Sequence, residues 1–233
     1  MIKAIVFDLD DTLYPEIDYV FSGYKAVIDY IAEKYRQFES RTEEMYKFLS
    51  NLYGKEDNPF AVFLQKYNIP NMDVEKDNII NIYRYHIPKI HLYNDVVEVL
   101  DEIKHRKIKI GLITDGDTER QLLKLEALGI RLYFDYIIVT DTFGGREFWK
   151  PNEISYIRMA QSLQVEFDEM IYVGDNRAKD FAIADKLPII TVEILRNNKI
   201  HNDDYYNDIK AKYIINNLKE LLYILEENNG RDY

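Results

Sequence analysis

Residues Ile2-Lys3-Ala4-Ile5-Val6-Phe7 form a nearly unbroken apolar run that stops abruptly at Asp8-Leu9-Asp10-Asp11-Thr12. A short run that is apolar on both faces predicts a strand buried inside a parallel sheet. In open sheets of that kind the chemistry gathers at the carboxyl ends of the strands. Asp8 and Asp10 fall at such an end, and Leu9 points away from them because side chains alternate along an extended backbone. Two carboxylates so close repel each other unless a cation or a shared proton intervenes. The opening of the chain therefore predicts a metal site, an acid–base pair, or both.

The same kind of run recurs at Ile108–Ile113, Tyr136–Thr140, Met170–Val173, Ile189–Ile194 and Tyr213–Ile215. Helical stripes lie between most of them: Val96, Val97, Leu100 and Ile103, then Leu122, Leu123, Leu125 and Leu128 ahead of Gly129. Leu218, Leu221, Leu222 and Leu225 make a last helix, and the acidic stretch from Glu226 to Tyr233 is expected to fray. Strands alternating with helices predict an α/β fold, a Rossmann-like parallel sheet with helices on both faces.

One connection breaks this rhythm. Between the first strand and Ile108 the sequence carries amphipathic helical patterns near Asp18–Tyr35, Thr42–Leu52, Phe60–Tyr67 and Val74–Tyr85, punctuated by Pro59, Pro70 and Pro88. A crossover needs only one helix. The excess predicts a small all-α domain at residues 15–89, inserted into a core formed by residues 1–14 and 90–233. Because it leaves the sheet just after Asp8 and Asp10, it is expected to sit over them.

The charge balance is 30 basic against 41 acidic residues, a net charge of −11. That surface would repel nucleic acid and anionic membranes alike. No apolar stretch approaches the roughly 20 residues that a membrane-spanning helix needs. The chain has no cysteine, which removes disulfides, thiolate metal sites and a cysteine nucleophile. With no signal-peptide pattern at the start, a cytoplasmic protein is expected. The 20 tyrosines read as a compositional bias.

Four further features fall at predicted strand ends. Thr114-Asp115-Gly116 follows the second strand, where a hydroxyl and turn amides can hold an anion, although a plain turn uses the same residues. Lys150 lies in the connection after Tyr136–Thr140, and a lone loop lysine is ordinarily just solvated. Gly174-Asp175-Asn176 follows the strand Met170–Val173. Gly174 permits a tight turn, which sets Asp175 beside Asp8, and such a carboxylate pair suits a hard cation, Mg²⁺ above all. Asp180 fits either a supporting acid or an ordinary first-turn helix acid.

Taken in order, Asp8-Leu9-Asp10-Asp11-Thr12, Thr114, Lys150-Pro151 and Gly174-Asp175 with Asp180 resemble the four motifs of the haloacid dehalogenase-like (HAD) superfamily. The resemblance spans nearly the whole chain, and residues 15–89 lie where that superfamily carries a C1-type helical cap. It implies a two-step phosphoryl transfer. Asp8 would be the nucleophile and Asp10 the general acid and base. Asp8, the main-chain carbonyl of Asp10, and Asp175 would hold Mg²⁺. Thr114, Asp115 and Lys150 would form the phosphate-binding group, with the Asp115 carboxylate turned away from the anion. Thr12 would orient Asp10, Gly174 and Asp180 would support the site, and Asp11 would serve the loop. As an acid Asp10 must hold a proton, and closure of the cap is expected to desolvate it and raise its pKa.

The resemblance implies a small phosphorylated metabolite as substrate, a sugar phosphate or a nucleoside monophosphate. Tyr14, Arg84 and His86 lie at the junctions of the insertion, where a polar cap surface and hinge is the plainer reading. Two alternatives belong to the same fold. A 2-haloacid dehalogenase would need no second aspartate at position 10. A non-catalytic binding protein would be expected to have lost motif residues, and none is missing.

Overall fold

The structure is a computed structural model, and it describes residues 1–197, 208 and 210–230. The described residues form two compact units: Met1–Glu16 together with His91–Tyr233, and Ile17–Ile90.

The first unit is built on a parallel sheet of six strands: β1 (Ala4–Phe7), β2 (Lys109–Thr114), β3 (Tyr136–Val139), β4 (Met170–Gly174), β5 (Ile190–Ile194) and β6 (Tyr213–Ile215). Their order is β3-β2-β1-β4-β5-β6, and every pairing is parallel. β1 is central and completely buried, as its doubly apolar sequence requires. The chain winds from β1 outward through β2 to β3, then crosses to β4 on the other side of β1. That reversal between β1 and β4 is the topological switch point, where such sheets bind ligands.

Register sets the strand ends side by side. Phe7 pairs with Leu112 on one side and with Val173 on the other, while Thr114 pairs with Val139. Asp8 continues the ladder by donating its N–H to the Val173 carbonyl at 2.9 Å. Thr140, Thr114, Asp8 and Gly174-Asp175 therefore occupy one edge.

The helices α1 to α8 span Glu16–Lys34, Thr42–Asn51, Pro59–Lys66, Met72–Tyr85, Val96–His105, Thr118–Ala127, Glu153–Leu163 and Glu220–Asn229. α7, which the sequence patterns do not flag, packs Tyr156, Met159 and Leu163 onto Ala4, Val6, Ile113, Ile138 and Tyr172. A Cβ at Gly111 would meet Met159 Sδ at 2.6 Å, so glycine on β2 lets α7 seat closely. The expected α6 stripe holds in part: Leu125 and Leu128 are buried, but Leu122 and Leu123 are only half-buried, and Gln121 and Lys124 turn inward beside them. Polar groups win that face because they have partners there. The expected fraying at Glu226 does not hold for the described residues either, since α8 runs to Asn229, whose side chain accepts the Ile2 N–H at 2.5 Å. Residues 231–233 lie outside the described residues. No described helix is long and apolar enough to cross a membrane.

The second unit is helical throughout, with the greater part of α1, a short 3-10 turn at Arg36–Arg41, and α2 to α4. Val27, Ile28, Ile31, Met45, Leu49, Phe63 and Ile79 form its core. Tyr24, Phe60 and Tyr83 meet in edge-on and tilted ring contacts, and a Cβ at Gly23 would strike the Tyr83 ring. The buried Glu75 carboxylate accepts from Lys34, Tyr30, Tyr35 and Asn78. His86 is built into the same unit, with one ring nitrogen on the Tyr83 carbonyl and the other on Ser22 Oγ. Tyr24, Tyr30, Tyr35 and Tyr83 are thus structural members of this unit.

Candidate active site

Asp8 emerges from β1 into a buried setting. Its Oδ1 lies 2.6 Å from Lys150 Nζ, and both side chains are buried. Burial, with nearby Asp180 and Asp10, pushes the Asp8 carboxyl up to about 7 in spite of Lys150. Lys150 also reaches Asp180 Oδ1 at 2.9 Å and the Tyr172 hydroxyl at 3.0 Å. Burial works against its charge, but Asp180, Asp8 and Asp115 outweigh that and hold its ammonium well above the usual range.

Asp180 is held from three sides. Its Oδ1 accepts from Tyr172 at 3.0 Å as well as from Lys150, and its Oδ2 accepts the Asn176 N–H at 2.9 Å. Gly174 makes this possible: a Cβ there would lie 2.6 Å from Asp180 Cγ. Asp8, Asp175 and Asp180 each offer an oxygen within 4.8 Å of the others. Three carboxylates against one lysine leave an excess of negative charge, and the donors are all oxygen. This donor set fits a hard divalent cation. Asp180 is already occupied by its three donors. Thr12 Oγ1 lies 3.5 Å from Asp175 Oδ1, so the expectation that Thr12 orients Asp10 is corrected. The Thr12 main chain is anchored instead: its carbonyl accepts from Arg196, which also forks onto the Asp95 carboxylate at 2.8 and 3.0 Å.

The Asp10 carboxylate belongs to a different group. Its Oδ1 takes hydrogen bonds from Tyr14 and, at 2.6 Å, from Lys124, and its Oδ2 takes one from Gln121 at 2.9 Å. Burial alone would raise its pKa, but Lys124 and the bonds from Gln121, Lys124 and Tyr14 outweigh burial and hold it below the usual range. The expected rise is therefore overturned for this arrangement, because all three neighbours are donors to a carboxylate. Tyr14 is fully buried and serves Asp10, not the surface. The half-buried Glu16 stands near this group, and burial, with Asp10 adding to it, pushes its carboxyl up to about 8.

Asp11, buried at φ 52°, accepts the Glu16 N–H at 2.8 Å and closes the loop that follows β1. Thr114 ends β2, and its hydroxyl touches Gln121 Nε2 at 2.6 Å. The Asp115 carboxylate is turned aside: it accepts from Thr140 Oγ1 at 2.9 Å and from the Lys150 N–H at 3.1 Å, tying three loops together. Phe181 and Ile183, just after Asp180, are buried in packing.

Gln121 and Lys124 are absent from the sequence expectation. The one signal available was a polar pair spaced three apart within an apolar helical stripe, and on a helix that spacing faces one direction. Of the other residues drawn together here, Asp8, Asp10 and Thr12 follow β1, Thr114 ends β2, Lys150 lies in the connection after β3, and Asp175 and Asp180 follow β4.

Comparison with known proteins agrees with this geometry. The chain is 35% identical to a glyceraldehyde 3-phosphate phosphatase of Methanocaldococcus jannaschii, over 97% of this chain and 98% of that protein. A protein of the same description from Methanopyrus kandleri is 28% identical over 97% and 98%. Among solved structures, a HAD phosphatase from Thermococcus onnurineus superposes with a TM-score of 0.62 at 27% identity, covering 96% of this chain and 98% of that one. A family model of haloacid dehalogenase-like hydrolases matches residues 5–194. With Asp8 and Asp175 just past adjoining strands, Thr114 at the end of β2 and Lys150 brought beside Asp8 from the connection after β3, the chain belongs to the haloacid dehalogenase-like hydrolases.

Proposed function

We propose that this protein is a Mg²⁺-dependent phosphomonoester hydrolase that works through an aspartyl-phosphate. The carrying observation is Asp8 at the end of the central strand, paired with Lys150 at 2.6 Å and grouped with Asp175 and Asp180. Asp8, Asp175 and the main-chain carbonyl of Asp10 would hold the cation, with Asp180 positioning Lys150. When bound, the cation supplies charge neutralisation between the nucleophile and the anionic substrate.

An Asp8 oxygen attacks phosphorus and the bond to the leaving oxygen breaks. Asp10, which must first take up a proton against the pull of Lys124, Gln121 and Tyr14, delivers it to that oxygen. Water then attacks the aspartyl-phosphate, Asp10 takes a proton from it, and inorganic phosphate is released with Asp8 restored. Thr114 and Lys150 bind the transferring group, while Asp115 contributes by fixing the Lys150 main chain. Asp10 is the residue that favours phosphate esters over 2-haloacids, since a halide leaving group needs no proton.

The substrate is a small phosphorylated metabolite. The 35% identical relative makes glyceraldehyde 3-phosphate the first compound to test, ahead of nucleoside monophosphates. The unit Ile17–Ile90 is assigned the cap role from its point of insertion in the chain, between Asp10 and Thr114. The test is phosphate release from a panel of sugar phosphates and nucleoside monophosphates with Mg²⁺ or with chelator, for the natural protein and Asp8→Asn. Mg²⁺-dependent release lost by roughly 10³-fold or more in the variant is expected. Comparable release by Asp8→Asn, or metal-free release of halide from a 2-haloacid, would overturn the reading.

A further inference from the structure

Gln121 and Lys124 sit one turn apart on α6, both buried, with their polar ends at the sheet's carboxyl edge. Gln121 Nε2 lies 2.9 Å from Asp10 Oδ2, 2.8 Å from the Asp115 carbonyl and 2.6 Å from Thr114 Oγ1. The Asp115 carbonyl can only accept, so the amide nitrogen must face it. An amide nitrogen carries two hydrogens and no acceptor lone pair. The Thr114 hydroxyl therefore cannot aim its own hydrogen at Gln121 and keeps it available for an anion beyond β2. Gln121 Oε1, on the other side, is buried with no hydrogen-bond partner among the described residues. Leaving a buried carbonyl unbonded costs roughly 1–3 kcal/mol, so packing alone does not account for this side chain.

Lys124 completes the arrangement. Its Nζ lies 2.6 Å from Asp10 Oδ1, opposite the oxygen held by Gln121. Both oxygens of Asp10 are thereby tied to one helix, and Thr114 is tied to that helix through the same amide. We propose that Gln121 and Lys124 are positioning residues for phosphoryl transfer. They hold the acid–base carboxylate of Asp10 and the phosphate-binding hydroxyl of Thr114 in one fixed relation, which rests on the phosphatase reading above. A rigid mount of this kind matters because proton transfer and in-line attack tolerate little misplacement.

The experiment compares kcat and KM on an alkyl phosphate, glyceraldehyde 3-phosphate, and an aryl phosphate, nitrophenyl phosphate. It uses the Mg²⁺-loaded natural protein, Lys124→Met, Lys124→Arg and Gln121→Leu. Lys124→Met should lower kcat on the alkyl ester by about 10- to 100-fold. It should lower kcat on the aryl ester far less, since nitrophenolate leaves without a proton, and KM should change little. Lys124→Arg should recover most of the loss. Gln121→Leu should lower kcat on both esters and weaken inhibition by inorganic phosphate several-fold, because Thr114 is released as well. Should Lys124→Met fail to fold, Lys124→Arg and Gln121→Leu still separate the esters from phosphate affinity. Equal losses of kcat on both esters for a folded Lys124 variant, or unchanged phosphate inhibition in Gln121→Leu, would overturn the proposal. A natural protein that turns over neither ester would instead overturn the phosphatase reading, and this inference with it.

Discussion

Lys150 Nζ stands 2.6 Å from Asp8 Oδ1, with both side chains buried. The lysine pairs with both Asp8 and Asp180, so the electrostatics of the site turn on it. Replacing Lys150 by Met leaves buried carboxylates without their counter-charge, which costs about 3–5 kcal/mol. The expected result is a large fall in urea midpoint in chelator and a greater gain on adding Mg²⁺ than the natural protein shows. An unchanged midpoint in chelator would contradict this account.

Gly174→Ala tests the crowding around Asp180. The added methyl would lie 2.6 Å from Asp180 Cγ, closer than side chains tolerate, so Asp180 must move. Lys150 then loses one of its carboxylate partners. Turnover should fall by at least 10-fold with circular dichroism unchanged. Full activity in the alanine variant would show that Asp180 can shift without consequence.

Glu16 gives the pH dependence. Its carboxyl sits at about 8 in the folded chain against 4.5 as the ordinary value, with burial the chief cause. The folded state therefore holds this proton where the unfolded state has released it. Its stabilising effect is complete below about pH 4.5 and is lost as pH rises toward 8. Asp8 shifts in the same direction, so the comparison must isolate Glu16. Glu16→Gln keeps the neutral shape, and in chelator its unfolding free energy should fall less steeply from pH 4.5 to 8 than that of the natural protein. Parallel pH curves for the two proteins would refute the assignment.

Asp95 joins three parts of the first unit. It forks onto Arg196 and also accepts the Leu218 N–H at 2.8 Å, while Arg196 holds the Thr12 carbonyl. Asp95→Ala strands a buried guanidinium and should cost about 3–5 kcal/mol in urea unfolding. Turnover should also drop, because the loop between Asp8 and Tyr14 loses its anchor. A loss below 1 kcal/mol on the same assay would mean the pair is weakly held.

The strands were legible because burial on both faces writes itself as local apolar runs, and β1 to β6 fall within a residue or two of those runs. Asp8, Thr114 and Asp175 were legible for a related reason: each lies at the end of its own strand, and strand ends in a parallel sheet share one edge. That much the linear order of residues determined. The partners of Asp10 were decided only in three dimensions. Gln121 and Lys124 lie more than a hundred residues from Asp10, on a helix whose apolar pattern favours a different face. Thr12 turned to Asp175 and not to Asp10 for the same kind of reason. The protonation of Asp10 reversed too, since donor count and charge around a carboxylate depend on which helices pack beside it. Periodicity reports how a segment meets the core as a whole. Which polar atoms meet inside it depends on long-range packing, which no local pattern encodes.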